Sequence, residues 1–204
     1  MILLGLTGGI AAGKSFVGRM IARRGIPVID ADVLAREAVR PGTEGFFEVA
    51  RAFPQVIKGK EIDRPALGRI VFSDPEKRAL LESIIHPRVR AAFSREKERF
   101  GEAPLVVYEV PLLFERGIDR EMDRTLVVDV PESLQLSRLL SRPNMTGEEA
   151  RKRIASQLSR QERVLRANFI ISGSLSEEET ERELVRILGE VLAGPSPPPQ
   201  SLTP

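Results

Sequence analysis

Short apolar runs alternate along the chain with longer stretches of helical periodicity. Ile2-Leu3-Leu4-Gly5-Leu6-Thr7, Ile26-Pro27-Val28-Ile29, Leu105 to Val110, Thr125 to Val130 and Phe169-Ile170-Ile171 read as strands, and Leu105 to Val110 is apolar enough to lie inside a sheet. After the first run, Phe16, Val17, Met20 and Ile21 recur at helical spacing with Arg19, Arg23 and Arg24 between them, and Gly25 ends that helix. Residues 32 to 39 predict a second helix, broken by Pro41-Gly42. From there to about Phe100 strand character is slight. Phe46, Phe47, Val49 and Ala50 line one helix face, and Asp63 caps a helix with Pro65 early and Leu67, Ile70 and Val71 on its inner side. Ser73 or Asp74 caps another, with Leu80, Leu81 and Ile84 apolar. His86-Pro87 interrupts it, and Val89, Ala92 and Phe93 resume the pattern.

Pro131-Glu132 opens a helix whose apolar positions are Leu134, Leu136, Leu139 and Leu140. It carries Arg138 and Arg142 four apart, hence on one face, and Pro143-Asn144 breaks it. Thr146 to Glu149 makes a capping box for a helix running to about Leu165, rich in Arg and Gln and poor in large apolar residues, as suits an exposed lid. Ser176 to Glu179 is a second capping box, followed by the stripe Leu184, Ile187, Leu188 and Val191. The order predicts an α/β fold: a parallel sheet with helices on both faces, a helical insert and a helical lid. The expected organisation is one domain, 1–194, with its core at about 1–40, 101–132 and 166–194, the insert at about 41–100, the lid at about 133–165, and a disordered Pro/Ser-rich tail at 195–204.

Composition narrows the classes. A chain of 204 residues with 42% hydrophobic content suits one domain with a core. Lys plus Arg (31) nearly balance Asp plus Glu (29), which excludes a generally basic nucleic-acid binder. The absence of Cys excludes disulfides and thiolate metal sites and suits a reducing compartment. No apolar run approaches the ~20 residues that span a bilayer, and the N-terminus enters a strand without the basic region of a signal peptide. The expected compartment is the cytoplasm, with no membrane partner.

The chemistry starts at Gly8-Gly9-Ile10-Ala11-Ala12-Gly13-Lys14-Ser15, which fits G-x-x-x-x-G-K-[ST] between a strand and a helix, the setting a phosphate-binding P-loop demands. Gly8 and Gly13 are expected to adopt dihedrals that a Cβ forbids. The loop N–H groups face an anion, Lys14 supplies charge to the outer phosphates, and Ser15 is the expected Mg²⁺ ligand. Asp30-Ala31-Asp32 follows the second strand, at the carboxyl end where ligands of open α/β sheets bind. Asp30 is read as a cap and Asp32 as the catalytic carboxylate. Glu109, also at a strand end, is read as structural rather than as a metal carboxylate. The P-loop alone does not separate a kinase from a GTPase, an ATPase or a motor. The Asp-x-Asp, an Arg-x-x-x-Arg helix before a polar lid, and the lack of an Asn-Lys-x-Asp guanine-reading motif favour a small-molecule kinase.

At these residues the sequence resembles the dephospho-coenzyme A kinase family. The family patterns occur in order: Gly5 to Ile10 leading into Gly13-Lys14-Ser15; Val28-Ile29-Asp30-Ala31-Asp32; Ile62-Asp63-Arg64 with Leu67; Val71-Phe72; Leu81-Glu82 with Ile85-His86-Pro87; Pro111 to Glu115; and Gln135-x-x-Arg138-x-x-x-Arg142 with Gln157. The resemblance covers residues 2 to about 174. It implies ATP-dependent phosphorylation of the 3′-hydroxyl of the ribose of dephospho-CoA by a monomer or small homo-oligomer. It implies that Gly8, Gly9 and Ala11 to Phe16 hold ATP·Mg²⁺, with Ala11, Ala12, Gly13, Lys14, Ser15 and Phe16 closest to the phosphates. Asp32 would take or orient the ribose hydroxyl proton, and Arg142, helped by Arg138, would neutralise the transferring phosphoryl group. Arg64, His86 and Arg88 of the insert, with Leu112 and Leu113, would contact dephospho-CoA. The chain departs from the family at Ala11-Ala12, at Phe16 where Thr is usual, and at Asn168 and Ser172, where Asp and Asn are usual. The alternatives are another P-loop nucleotide or nucleoside kinase, and a non-catalytic P-loop regulatory protein.

Overall fold

In chain order the elements are β1 (Ile2–Gly8), α1 (Lys14–Arg23), β2 (Val28–Asp30), α2 (Ala31–Ala38), α3 (Glu44–Ala52), β3 (Ile57–Lys58), β4 (Glu61–Ile62), α4 (Arg64–Ser73), α5 (Pro75–Arg99), β5 (Leu105–Glu109), β6 (Arg124–Asp129), α6 (Glu132–Leu140), α7 (Gly147–Ala155), α8 (Arg160–Arg166), β7 (Phe169–Ser172) and α9 (Glu177–Ala193). They are seen in a computed structural model that describes residues 1–143 and 145–194. Asn144 and the tail at 195–204 lie outside the described residues. The chain divides into two compact units, Met1–Ile29 with the chain from Phe100 onward, and Asp30–Arg99. The second unit thus begins at Asp30, ahead of the expected residue 41.

The first unit is organised on β1. Leu3 to Gly8 are all buried, because β1 has a neighbour on each side in the sheet order β2-β5-β1-β6-β7. The pairings of β1 with β5, β1 with β6 and β6 with β7 are parallel. Register brings Leu6 beside Glu109 and Gly8 beside Val128. The P-loop, Glu109 and Asp129 therefore leave the sheet at one carboxyl rim. Val17, Met20 and Ile21 of α1 and Leu184, Ile187, Leu188 and Val191 of α9 pack with Leu4, Leu6, Val107, Leu126 and Val128 in one buried cluster. Fully burying each such side chain contributes roughly 1.5–3 kcal/mol.

The second unit has its own core of Val39, Val49, Phe53, Val56, Leu67 and Ile84. Two features there correct the sequence expectations. A two-residue hairpin pairs Ile57 with Ile62 and Lys58 with Glu61, turning at Gly59 with φ 62; strands that short carry no readable alternation. The helix expected to break at His86-Pro87 instead runs unbroken through Pro87 for 25 residues. Proline removes one intrahelical donor and crowds the preceding turn. One residue on, Arg88 Nη1 donates to Ile84 O at 2.6 Å, adding a side-chain bond to the turn next to the proline.

The lid stretch also differs. Its single expected helix is two, α7 and α8, because Ser159 and Glu162 form a new capping box. α6 ends at Leu140, so Arg142 lies beyond it. Ser141 Oγ donates to Arg138 O at 2.8 Å and the Arg142 amide closes a tighter turn onto Leu139 O at 3.0 Å. Among the described residues no helix is long and apolar enough to cross a membrane.

Candidate active site

The P-loop forms as the motif demands, with one reason revised. Gly13 has φ 104, which only glycine adopts cheaply. Gly8 has no positive φ. It is glycine because a Cβ there would fall 2.6 Å from Val128 O on the neighbouring strand. Ala11 takes φ 62, a left-handed conformation costing an L-residue roughly 1–2 kcal/mol. Ala11→Gly is expected to raise the melting temperature by about 2 °C, since the relieved strain exceeds the added chain entropy by roughly 0.5–1 kcal/mol; a calorimetric scan checks it. Phe16, where the family carries Thr, packs partly buried against the main core.

Lys14 and Ser15 converge on Glu109. Lys14 Nζ and Ser15 Oγ each donate to Glu109 Oε1 at 2.7 Å, and Glu109 is 4% exposed. Glu109 Oε2 fills the space where a Cβ of Gly18 would lie, at 2.2 Å. The strand-end Glu read from sequence as structural is thus joined to both chemically active P-loop side chains. The sequence signal that accompanies it is the glycine at position 18, inside a helix where glycine otherwise weakens the backbone.

The segments after β6 hold the P-loop main chain. Arg138 Nη1 donates to Ala11 O at 3.0 Å and Ala12 O at 3.2 Å, and its Nη2 donates to Gly173 O at 2.8 Å. The guanidinium read as a phosphate partner therefore braces the loop against the turn after β7. Arg142 is exposed. Arg163 is buried at 6% exposure and donates to Leu158 O. Burial pushes its pKa down, partly offset by Glu115 and Asp129. Arg160 grips Asp129 through two nitrogens, Nε at 2.9 Å and Nη2 at 2.7 Å, and that hydrogen-bonded carboxylate raises its pKa. With Glu115 accepting the Leu158 amide at 2.9 Å and Arg166 paired with Asp119 at 2.8 Å, α8 is tied to the sheet rim. The freely exposed lid helix expected to run to Leu165 is thus anchored over its second half.

Leu113 is fully buried beneath Gly5, and Phe114 is buried with Arg166 4.7 Å over its ring. Of the Leu112-Leu113-Phe114 run only Leu112 keeps partial exposure. Asn168 Oδ1 accepts from Thr125 N at 2.9 Å and Thr125 Oγ1 at 3.1 Å. Both bonds use acceptor capacity alone, which the family's usual Asp also has. Ser172 Oγ accepts from the Ser174 amide at 3.2 Å.

Within the second unit, Asp30 Oδ1 accepts from the amides of Asp32 and Val33 at 2.7 and 3.2 Å. Asp30 is the cap of α2, and Asp32 is an exposed residue of its first turn. Arg64 is exposed at the start of α4, beside Asp63, which caps that helix and pairs with Lys58 at 2.6 Å. The Lys58 hydrogen bond and the Ala66 amide lower the Asp63 pKa. His86 is exposed on α5, while Arg88 is half-buried and also pairs with Glu48 at 2.9 Å.

This geometry has known relatives. A family model described as dephospho-CoA kinase matches residues 2–179. The chain belongs to the dephospho-CoA kinase family. A dephospho-CoA kinase of Geobacillus kaustophilus is 44% identical over 191 residues, covering 92% of this chain and 95% of the relative. One of Oceanobacillus iheyensis is 41% identical, covering 92% and 96%. A crystal structure from Thermus thermophilus aligns with TM-score 0.85 at 36% identity over 95% of this chain and 98% of that one. Dephospho-CoA kinase from Campylobacter jejuni aligns with TM-score 0.69 at 28% identity over 93% and 96%. Shikimate kinase from Acinetobacter baumannii, at TM-score 0.52 and 18% identity over 95% and 94%, shares the fold. As a member of the dephospho-CoA kinase family the chain is an ATP-dependent kinase.

Proposed function

We propose that the protein transfers the γ-phosphoryl group of ATP to the 3′-hydroxyl of the ribose of dephospho-CoA, giving coenzyme A and ADP. The observation that carries this reading is the convergence of Lys14 and Ser15 on buried Glu109 at the mouth of a P-loop, in a chain that matches the family from residue 2 to 179. In the reaction the ribose oxygen attacks the γ-phosphorus, the bond from that phosphorus to the β,γ-bridging oxygen breaks, and the hydroxyl proton passes to Asp32. Little covalent chemistry falls to the protein, so positioning and charge neutralisation supply the rate.

Each residue has a defined task. The loop from Ala11 to Phe16 and the α1 N-terminus lie closest to the phosphate oxygens, with the Ala12 and Phe16 amides turned onto Gly9 O at 3.0 Å and Gly13 O at 2.9 Å. Lys14 supplies a cation to the outer phosphates and Arg142 a second. Arg64, His86, Arg88 and Leu112 contact the acceptor, and Leu113 supports Leu112 from the core. Mg²⁺ fits the donor set: the Ser15 hydroxyl is a hard oxygen whose proton is directed at Glu109, leaving its lone pairs for a cation. Mg²⁺ keeps most of its shell as water and substrate phosphate and needs only one or two protein oxygens. Bound there, Mg²⁺ neutralises charge on the phosphates. The near balance of 31 basic and 29 acidic residues supports a small-molecule enzyme with no nucleic-acid partner; the reading places it in the cytoplasm as a monomer or small homo-oligomer.

A coupled ADP-release assay with ATP·Mg²⁺ tests the reading, with dephospho-CoA, AMP, CMP and adenosine as acceptors. Turnover with dephospho-CoA alone is the expected result. Turnover with a plain nucleotide would mean another nucleotide kinase, and acceptor-independent hydrolysis would overturn the kinase assignment for this chain.

A further inference from the structure

The P-loop motif demands glycine at positions 8 and 13, yet position 9 is glycine as well. A Cβ built on Gly9 falls 2.2 Å from Nε2 of Gln135 and 2.6 Å from Nη2 of Arg163. Gln135 is 2% exposed, and its Nε2 donates to Ile10 O at 2.8 Å. From the other side, Gln157 Oε1 accepts from Ile10 N at 2.7 Å. One residue at the start of the loop thus has its carbonyl and its amide held by two side-chain amides that come from far along the chain. Each glutamine has a single workable orientation. Gln135 must present its NH₂ to a carbonyl, and Gln157 must present its oxygen to an N–H.

We propose that Gln135 and Gln157 are positioning residues that clamp the Ile10 peptide unit and so fix the anion-binding form of the P-loop. The inference rests on the ATP-dependent kinase reading. The clamp has a chemical consequence. The Ile10 amide is spent on Gln157, so the phosphate-facing N–H groups begin after it, and their directions are set before nucleotide arrives. Preorganisation of that kind raises affinity by removing ordering cost from the binding step. Gly9 is glycine so that the Gln135 amide can lie directly on the loop backbone.

The test uses the full chain and its Gln157→Leu, Gln135→Leu, Gly9→Ala, Gln135→Ala and Gly9→Ala/Gln135→Ala variants. Calorimetric Kd for ATP·Mg²⁺, KM for each substrate and hydrogen exchange at the Ile10 amide are measured. Each Leu variant should weaken ATP binding about tenfold, the size of one lost buried hydrogen bond, while KM for the acceptor changes less than about twofold. Exchange at Ile10 should accelerate about tenfold in Gln157→Leu. Gly9→Ala should also weaken ATP binding, and by a smaller factor when Gln135 is already alanine, the remainder reflecting Arg163 Nη2 at 2.6 Å from the new Cβ. Unchanged ATP affinity in both Leu variants would overturn the proposal, as would equal changes in both substrates' KM alongside a fall in melting temperature. If the parent binds ATP but does not phosphorylate dephospho-CoA, the substrate assignment fails and the clamp is still decided by the Kd values; a parent that binds no ATP defeats both.

Discussion

Asp32→Ala is expected to lower kcat by roughly 10²–10⁴-fold, the usual contribution of a positioned general base, while Kd for ATP·Mg²⁺ stays within about threefold, because the base touches the acceptor rather than the donor. The structure makes this a clean experiment. An aspartate at the start of a helix invites the reading of a cap, whose loss would unfold the local turn. Here the cap is Asp30, whose carboxylate takes the amides of Asp32 and Val33. Removing the Asp32 carboxylate therefore leaves the capping bonds in place; its favourable position near the α2 N-terminus is worth about 0.3–1 kcal/mol. Asp32→Asn refines the result. Asparagine accepts a hydrogen bond from the ribose hydroxyl but takes no proton, so substantial activity in Asn with none in Ala would assign orientation rather than proton transfer. Full activity in both, with nucleotide still bound, would mean that Asp32 takes no part in phosphoryl transfer.

The parts of this molecule legible in its sequence are those governed by local rules. The P-loop follows from eight consecutive residues. The strands of the main sheet follow from apolar runs, and the caps at Asp63 and Ser176 from residue type and spacing. What stayed hidden depends on partners distant in sequence. Gly8 looks like a dihedral requirement and is a packing one, set by Val128 O across the sheet. Pro87 looks like a helix end, but the helix continues through it, with Ile84 buried in a core against Val39, Val49 and Phe53. The Arg138-x-x-x-Arg142 spacing suggests one cationic face. Instead Arg138 is bound to three carbonyls, while α6 stops at Leu140, short of Arg142. No periodicity within a helix reports that a guanidinium will find backbone oxygens from two other segments. The glutamines at 135 and 157 belong to the family pattern, but their work is visible only once Ile10 lies between them.

Lys14→Met should reduce kcat/KM by about 10³-fold or more, since it removes a fixed cation from where phosphoryl charge develops. It should also destabilise the fold, and the two effects can be separated. Lys14 Nζ and Glu109 Oε1 are 2.7 Å apart with side-chain exposures of 12% and 5%, so the variant leaves a buried carboxylate that still accepts from the Ser15 hydroxyl at 2.7 Å. Removing one partner of a buried pair costs up to roughly 3–5 kcal/mol; with the hydroxyl retained, a loss of about 1–3 kcal/mol is expected, or roughly 2–10 °C in melting temperature. Adding Glu109→Gln removes the uncompensated charge, and Gly18 still leaves room for the isosteric amide. The double variant should recover most of the melting temperature and none of the activity. Recovery of both would mean that Lys14 serves the fold alone, and that the cation for phosphoryl transfer must be sought elsewhere. Recovery of neither would mean that the Glu109 carboxylate is needed in its own right, with Ser15 as the group it orients.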